Sequence, residues 1–435
     1  MGGSSRARAG GCAVGSSAKQ SRRQWLVRAG AGLGAFRIVS RGALGGEGRR
    51  APSDVLTRAT IGIGGALAGT VRPNEPGKPP FMLAVCDVNE SRLQAALNKA
   101  GSPCEGYVDF RRVLDRKDID VVYVGTPPHW HALISIMAMQ AGKDVLCEKP
   151  MTRFIAEGRA VAETARRYRR IFQIGTYGRF GVAANDRTYK IMASGVIKDN
   201  GPVVRFSPPQ YNWKVKMWSG RTHLEPQPVP KGFHYDMWLG PSPFKPYHPH
   251  RASGSFRGYW DYDGGGLADM GQHYLDGPQC RYAKDHTSPV EIEASAPQPQ
   301  HPDAVQLWGW VSLKYADGTT FVFESGEWGG PCPIEDRGLP TLTPEQEKVV
   351  AAVPDMPRKY GAGEGSFEEA VRLRVQCAGN ADVSHRCATL LHLANIAIRL
   401  GRKLHYDPDK EQFIGDDEAN RLVNVPMRAP WHLPV

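Results

Sequence analysis

An aspartate, a histidine and a lysine in this chain are suited to proton transfer. Asp269 and His273 are four residues apart, so they would share one face of a helix that begins near Gly266. Lys149 follows a short apolar run and directly precedes Pro150, which places it at the end of a predicted strand. Hydride transfer from an alcohol needs a base for the hydroxyl proton and a positive group beside the oxygen. These residue types supply both groups.

The same segment could instead bind a metal ion. Asp269, His273 and Asp276 have the spacing of ligands on one helix, and both residue types ligate metals. No second set of ligands accompanies them, so the sequence favours acid–base chemistry and no metal site is predicted.

The elements that would position these groups begin with a glycine-rich turn. An apolar run at 59–63 leads into Gly62, Gly64 and Gly65, and such a turn lets backbone N–H groups approach a pyrophosphate at a helix N-terminus. Leu67 occupies the position of the third glycine of the usual motif. Asp87 ends the next predicted strand, where a carboxylate accepts hydrogen bonds from ribose hydroxyls and repels a 2′-phosphate. This pattern favours NAD over NADP.

Two further strands are predicted to end at the same edge of the sheet. A β-branched run at 119–124 leads into a polar loop, and a run at 144–147 leads into a second one. Ligands bind at the carboxyl ends of strands in open α/β sheets. The loops contain Thr126, Pro127, His129, His131, Glu148 and Lys149.

These motifs resemble the Gfo/Idh/MocA family of NAD(P)-dependent oxidoreductases. The resemblance lies in Thr126-Pro127, in Glu148-Lys149-Pro150, in the run 84–89, in the run Gly264 to Asp276 and in the tail from Leu393 to Trp431. It extends over roughly residues 55–435.

The resemblance implies an α/β fold with an N-terminal Rossmann dinucleotide-binding domain. A C-terminal α+β domain with an open, mostly antiparallel sheet would follow. By resemblance His273 accepts the proton, Asp269 orients or binds the substrate, and Lys149 stabilises the developing oxyanion. The expected cofactor contacts are Gly62, Gly64, Gly65, Asp87, Thr126, Pro127, His131, Glu148 and Lys149.

The second half of the chain is predicted to contain the substrate domain. Strands are expected at 290–294, 307–315 and 319–325, helical structure at 367–400 and a surface loop at 329–362. Trp213, Trp218, Trp238 and Trp260 could form a sugar-binding surface, although for most of them core packing is the simpler interpretation. The candidate substrate ligands are Tyr177, Arg179 and Asp261.

Charge and cysteine content exclude several classes of protein. The net charge is +11, but residues 1–50 hold ten Lys and Arg against Glu47 alone. The rest of the chain is therefore nearly neutral, which argues against a nucleic-acid partner. The eight cysteines form no C-x-x-C pair and indicate folding in a reducing compartment. No apolar run is long enough to span a membrane.

The N-terminus contains a twin arginine. Arg22 and Arg23 precede a modest apolar stretch, a pattern typical of a twin-arginine export signal, although Arg37 interrupts that stretch. The expected location is periplasmic, or cytoplasmic if the degenerate signal is not used. The predicted organisation is a signal or disordered arm at 1–50, a Rossmann domain at 51–175, a substrate domain at 176–400 and a tail at 401–435 that packs back on the body.

These observations lead to one principal functional prediction and two alternatives. The principal one is an oxidoreductase that transfers hydride between tightly bound NAD and a sugar or polyol hydroxyl. The first alternative is a redox-neutral NAD-dependent glycosidase that oxidises C3 transiently and cleaves its glycoside substrate by elimination. The second is a non-catalytic protein that binds NAD or sugar. A homo-oligomer is expected in each case.

Overall fold

A computed structural model describes residues 55–65, 69–176, 178–356 and 364–434. The predicted export segment, Leu67 and Tyr177 lie outside the described residues. No helix in the described part of the chain is long and apolar enough to cross a membrane.

Six parallel strands form the first sheet, in the order β3-β2-β1-β4-β5-β6. The strands are β1 (Arg58–Ile61), β2 (Met82–Cys86), β3 (Glu105–Tyr107), β4 (Val121–Val124), β5 (Asp144–Cys147) and β6 (Phe172–Ile174). The helices between them are α1 (Glu90–Ala100), α2 (Phe110–Leu114), α3 (His131–Gln140) and α4 (Ile155–Arg167). All residues of β1, β2, β4, β5 and β6 are buried, as expected of parallel strands covered on both faces.

The connection between β1 and β2 differs from the expected glycine turn at a helix N-terminus. Residues 62–65 and 69–81 contain no α-helix. Gly65 and Gly69 are in 3-10 helical conformation. Four prolines between residues 73 and 80 exclude a helix from the later part of the connection, because proline lacks the N–H of a helical residue and clashes with the preceding turn. The glycine turn is present, but the described residues after it do not continue as the expected helix.

The second sheet is mixed and mostly antiparallel, in the order β12-β11-β8-β9-β10-β7. Its strands are β7 (Val203–Phe206), β8 (Glu291–Ser295), β9 (Trp310–Lys314), β10 (Thr320–Glu324), β11 (Leu404–Asp407) and β12 (Gln412–Phe413). Only β7 and β10 pair in parallel. The predicted hairpin between β9 and β10 is confirmed, with Thr320 opposite Lys314.

Helices accompany the second sheet along the rest of the chain. They are α5 (Arg187–Ala193), α6 (Tyr235–Leu239), α7 (Pro249–Ala252), α8 (Gly265–Arg281), α9 (Pro344–Ala351), α10 (Glu364–Leu373), α11 (Ala381–Leu400) and α12 (Asp417–Asn420). The region expected to be a surface loop therefore contains α9. Thr343 and Gln346 form a capping box at its start, and Pro344 occupies the first turn, where it needs no N–H partner.

Helix α11 packs against both sheets. Its residues Ala381 and Ala388 belong to the apolar core around the first sheet, and Leu390 and Leu393 belong to the core of the second. At the end of the chain, Trp431 lies 4.8 Å from Trp130, measured between ring centroids. Trp213, Trp238 and Trp260 are buried, which confirms core packing for three of the four tryptophans. The seven cysteines in the described residues are free thiols.

Candidate active site

One large cavity lies at the carboxyl ends of the first sheet's strands. The strand order reverses between β1 and β4, and the loops that follow these two strands line the cavity together. Its volume is about 330 Å³. Residues of the second half, including Trp238, Arg257 and Asp269, close it from the other side. We call it the main cavity.

Eight of the nine predicted cofactor contacts line the main cavity. They are Gly62, Gly64, Gly65, Asp87, Thr126, Pro127, Glu148 and Lys149. His131 does not line it. Its two ring nitrogens lie 2.7 Å from the carbonyl oxygens of Thr126 and Pro150, and burial lowers its pKa to about 4. His131 therefore joins the two loops that contact the cavity.

The glycine turn is held close to the loop after β4. Gly62 has φ +81°, and a Cβ atom there would lie 2.5 Å from the Thr126 nitrogen, so a larger residue would push the loops apart. Asp87 fixes the turn from the other side, because its carboxylate accepts the N–H groups of Ile63 and Asn89 at 2.9 and 2.8 Å.

These features fit a dinucleotide. The glycines of the turn allow backbone N–H groups to approach a pyrophosphate. Asp87 lies at the end of the second strand, where ribose hydroxyls bind. The Thr126 hydroxyl is buried in the cavity wall and has no hydrogen-bond partner in the part of the chain that the structure describes, so a bound ligand could satisfy it. Arg92, which the sequence analysis did not single out, lies beside Gly64.

Lys149 and Asp269 form an ion pair in the wall of the main cavity. The Lys149 ammonium donates to the Asp269 carbonyl oxygen at 2.8 Å and to its Oδ1 at 3.1 Å. Their side chains are only 13% and 9% exposed, so Lys149 is not a solvated surface charge. Arg257 also donates to Asp269. Burial opposes ionisation, but Lys149 and Arg257 keep the pKa of Asp269 below its ordinary value.

His273 lies one helical turn after Asp269 on α8, as predicted. It is only partly buried and does not line the main cavity. Burial and the nearby Lys149 charge lower its pKa to about 4. Its imidazole is therefore neutral at neutral pH and able to accept a proton.

This pKa predicts an unusually low acid limit for catalysis. If His273 is the base, kcat/KM should be constant at neutral pH and fall as the pH decreases through about 4, where the ring becomes protonated. The pH profile of the wild type measures this limit. His273→Asn should lower kcat by roughly 10²–10⁴-fold, whereas the exposed His223→Asn should not. An acid limit near the ordinary 6.5, or one unchanged in His273→Asn, would contradict the assignment.

The predicted substrate ligands Arg179 and Asp261 do not line the main cavity. Arg179 is buried, and its guanidinium pairs with Asp276 at 2.9 Å and with Asp285 at 2.7 Å. These pairs favour a structural role over substrate binding. The Asp276 carboxylate also accepts a hydrogen bond from the Thr176 hydroxyl. It is therefore engaged by Thr176 and Arg179 and does not join His273 in a metal site. In the described residues, no group of three or more His, Cys, Asp or Glu side chains could hold a metal ion.

Asp261 is likewise not in the main cavity, but its near neighbour Asp263 is. Asp261 lines a separate small cavity with His129. Asp263 lines the main cavity together with Lys149 and Asp269. Sequence reasoning missed Asp263 and Arg257. For Asp263 a signal existed, since it directly precedes the glycine triplet at the start of α8.

Comparison with known proteins agrees with this architecture. Residues 59–176 match the Gfo/Idh/MocA domain described as "Oxidoreductase family, NAD-binding Rossmann fold". Residues 183–433 match the second domain, "Oxidoreductase family, C-terminal alpha/beta domain". The WlbA dehydrogenase of Bordetella pertussis, solved with NADH and UDP-GlcNAcA, has a TM-score of 0.52 at 14% identity, covering 81% of this chain and 99% of that one. At this identity the likeness shows the fold alone.

Curated relatives match over shorter stretches. The inositol 2-dehydrogenase of Salmonella typhimurium is 34% identical over 100 residues, which are 23% of this chain and 30% of the relative. The levoglucosan dehydrogenase of Pseudarthrobacter phenanthrenivorans is 43% identical over 58 residues, which are 13% and 15% of the two chains. These matches thus span less than a third of each relative. The two domain matches, by contrast, cover most of the chain, which therefore belongs to the Gfo/Idh/MocA family of oxidoreductases.

Proposed function

We propose that this protein is a dehydrogenase of a sugar or polyol, with NAD preferred over NADP. The observation that carries the proposal is the Lys149–Asp269 ion pair in the wall of the same cavity as the glycine turn and Asp87. When bound, NAD supplies a hydride acceptor. The dehydrogenases of inositol and levoglucosan among the relatives support a polyhydroxy substrate.

Lys149 and Asp269 in the cavity wall and the neighbouring His273 divide the proton chemistry between them. The Lys149 ammonium lies where it can donate to a substrate oxygen that becomes negative as the hydride departs. Asp269, kept ionised by Lys149 and Arg257, orients that ammonium and can accept a substrate hydroxyl. Neutral His273 receives the hydroxyl proton.

We further propose that NAD stays bound through the catalytic cycle. The twin arginine at residues 22–23 suggests export, and free NAD is scarce outside the cytoplasm, so an exported enzyme needs a retained cofactor or a redox-neutral cycle. The alternative function, an NAD-dependent glycosidase, has such a redox-neutral cycle. Fractionation of cells that produce the full chain would test the periplasmic location.

Nucleotide content is the first test of this function. The protein, purified without added nucleotide and then denatured, should release close to one equivalent of NAD(H) and little NADP(H), as measured by chromatography. Absence of nucleotide together with no binding of added NADH would contradict the function. With NAD present, product analysis separates the two enzymes, since a dehydrogenase makes a keto sugar and a glycosidase releases free sugar and aglycone.

A further inference from the structure

Asp263 is a buried carboxyl group with unsatisfied oxygens. The residue is 1% exposed, and among the described residues neither carboxyl oxygen has a hydrogen-bond partner. A buried polar group in this condition destabilises a protein unless something else satisfies it. Asp263 lines the main cavity, so a bound ligand could make the missing hydrogen bonds.

The chain holds Asp263 in this position through the glycines that follow it. Gly264 has φ +140°, and a Cβ atom there would lie 2.5 Å from the Asn395 side-chain nitrogen. Gly265 has φ +77°, and a Cβ atom there would lie 2.6 Å from Val305. A conformation that other residues rarely adopt therefore brings Asp263 against the start of α8.

The cations of the cavity are already engaged elsewhere. Lys149 and Arg257 both donate to Asp269, and neither donates to Asp263. Burial and the neighbouring Asp269 charge raise the pKa of Asp263 well above its ordinary value. The two carboxyls thus differ, because Asp269 is ionised and paired whereas Asp263 is available for a hydrogen-bonding ligand.

We propose that Asp263 is a substrate-binding residue that hydrogen-bonds two adjacent hydroxyls of a neutral polyol or sugar. A carboxyl group has two oxygens side by side, which matches the spacing of a vicinal diol. The inference deepens the proposed function and rests on it.

The first arm of the test measures stability, which needs no substrate. Asp263→Leu should leave the melting temperature unchanged or raise it, because it removes an unsatisfied buried polar group. Asp263→Asn keeps a buried polar group of the same shape, so it should change the melting temperature little. Asp276→Asn is the matched control and should lower the melting temperature, since that buried aspartate is hydrogen-bonded to Thr176 and Arg179. A loss in both Asp263 variants as large as in the control would assign Asp263 a structural role and overturn the proposal.

The second arm measures turnover and cofactor binding. The probes are myo-inositol, levoglucosan and D-glucose, with singly deoxygenated derivatives of any that is oxidised. Asp263→Leu should raise KM about tenfold to a hundredfold with little change in kcat. Asp263→Asn, which keeps one donor and one acceptor, should restore most of the affinity. The two deoxy derivatives that lack one or the other of these adjacent hydroxyls should lose affinity with the wild type and not with Asp263→Leu.

The other outcomes identify what failed. An unchanged KM in Asp263→Leu would overturn the inference and leave the proposed function standing. A raised Kd for NAD with an unchanged KM for the polyol would make Asp263 a cofactor contact and also overturn it. A wild type that binds NAD but oxidises none of the polyols would contradict the proposed function, and the inference would fail with it.

Discussion

Lys149→Ala should lower kcat by about 10²–10³-fold, the loss typical of removing one donor to a developing oxyanion. The ammonium lines the main cavity and lies 3.1 Å from Asp269. Asp269 keeps its contact with Arg257 in the variant, so its charge stays compensated and the protein should fold. Steady-state kinetics on an oxidised polyol, with a melting curve for the same sample, measure both effects.

Two variants control this experiment. Lys410→Ala removes an ammonium whose side chain is 76% exposed and should leave turnover unchanged. Lys149→Arg keeps the charge but changes the geometry of the donor, so it should recover only part of the rate. Turnover of Lys149→Ala equal to that of the wild type would show that Lys149 has no catalytic role and would favour a non-catalytic binding protein.

Arg179→Ala should decrease the free energy of unfolding by about 3–5 kcal/mol, because it breaks a buried ion pair from one side. Asp276 is fully buried and would keep only the Thr176 hydroxyl as a side-chain partner. An uncompensated carboxylate in that environment is far less favourable than the original pair. Equilibrium unfolding in urea, with the midpoint and slope compared between variants, gives the difference.

The matched control is a surface ion pair of the same type. Arg187 pairs with Glu347 at 2.6 Å, but the two side chains are 64% and 42% exposed. Arg187→Ala should therefore have a much smaller effect on stability than Arg179→Ala. Equal losses in the two variants would mean that burial does not set the strength of these pairs. A large loss of activity in Arg179→Ala without loss of stability would instead assign Arg179 to substrate binding.

The parts of the fold that the sequence predicted well are those with one dominant signal. The strand at 144–147 was predicted to the residue, and those at 119–124 and 290–294 to within two residues, because short apolar runs bounded by turns allow little else. Helix α9 was missed, since its start depends on a capping box rather than on apolar periodicity. The α-helix expected after the glycine turn was an inference from the motif, and the prolines between residues 73 and 80 limit how far a helix there could extend.

The candidate site likewise contains some residues that local motifs predict and others that they do not. Lys149 and Asp269 could be predicted because motifs mark them, and the structure brings them into contact across 120 residues. His131 and Arg179 have similar signals, yet their partners are carbonyls and carboxylates contributed by distant segments. No local pattern reports such partners. Asp261 and Asp263 are two residues apart, yet Asp263 lines the main cavity whereas Asp261 lines the small one and lies 3.8 Å from Lys245.

Helix α11 has a consequence for how the protein is made. The first sheet ends at Ile174, but its core includes Ala381 and Ala388, and α10 adds Phe367 against Tyr123. On the ribosome, those covering residues emerge about 200 residues after the sheet. At roughly 5–20 residues per second this leaves an apolar surface uncovered for about 10–40 s. We therefore expect the nascent sheet to need protection from aggregation during this interval, since its core becomes complete only after the residues of α10 and α11 have been translated.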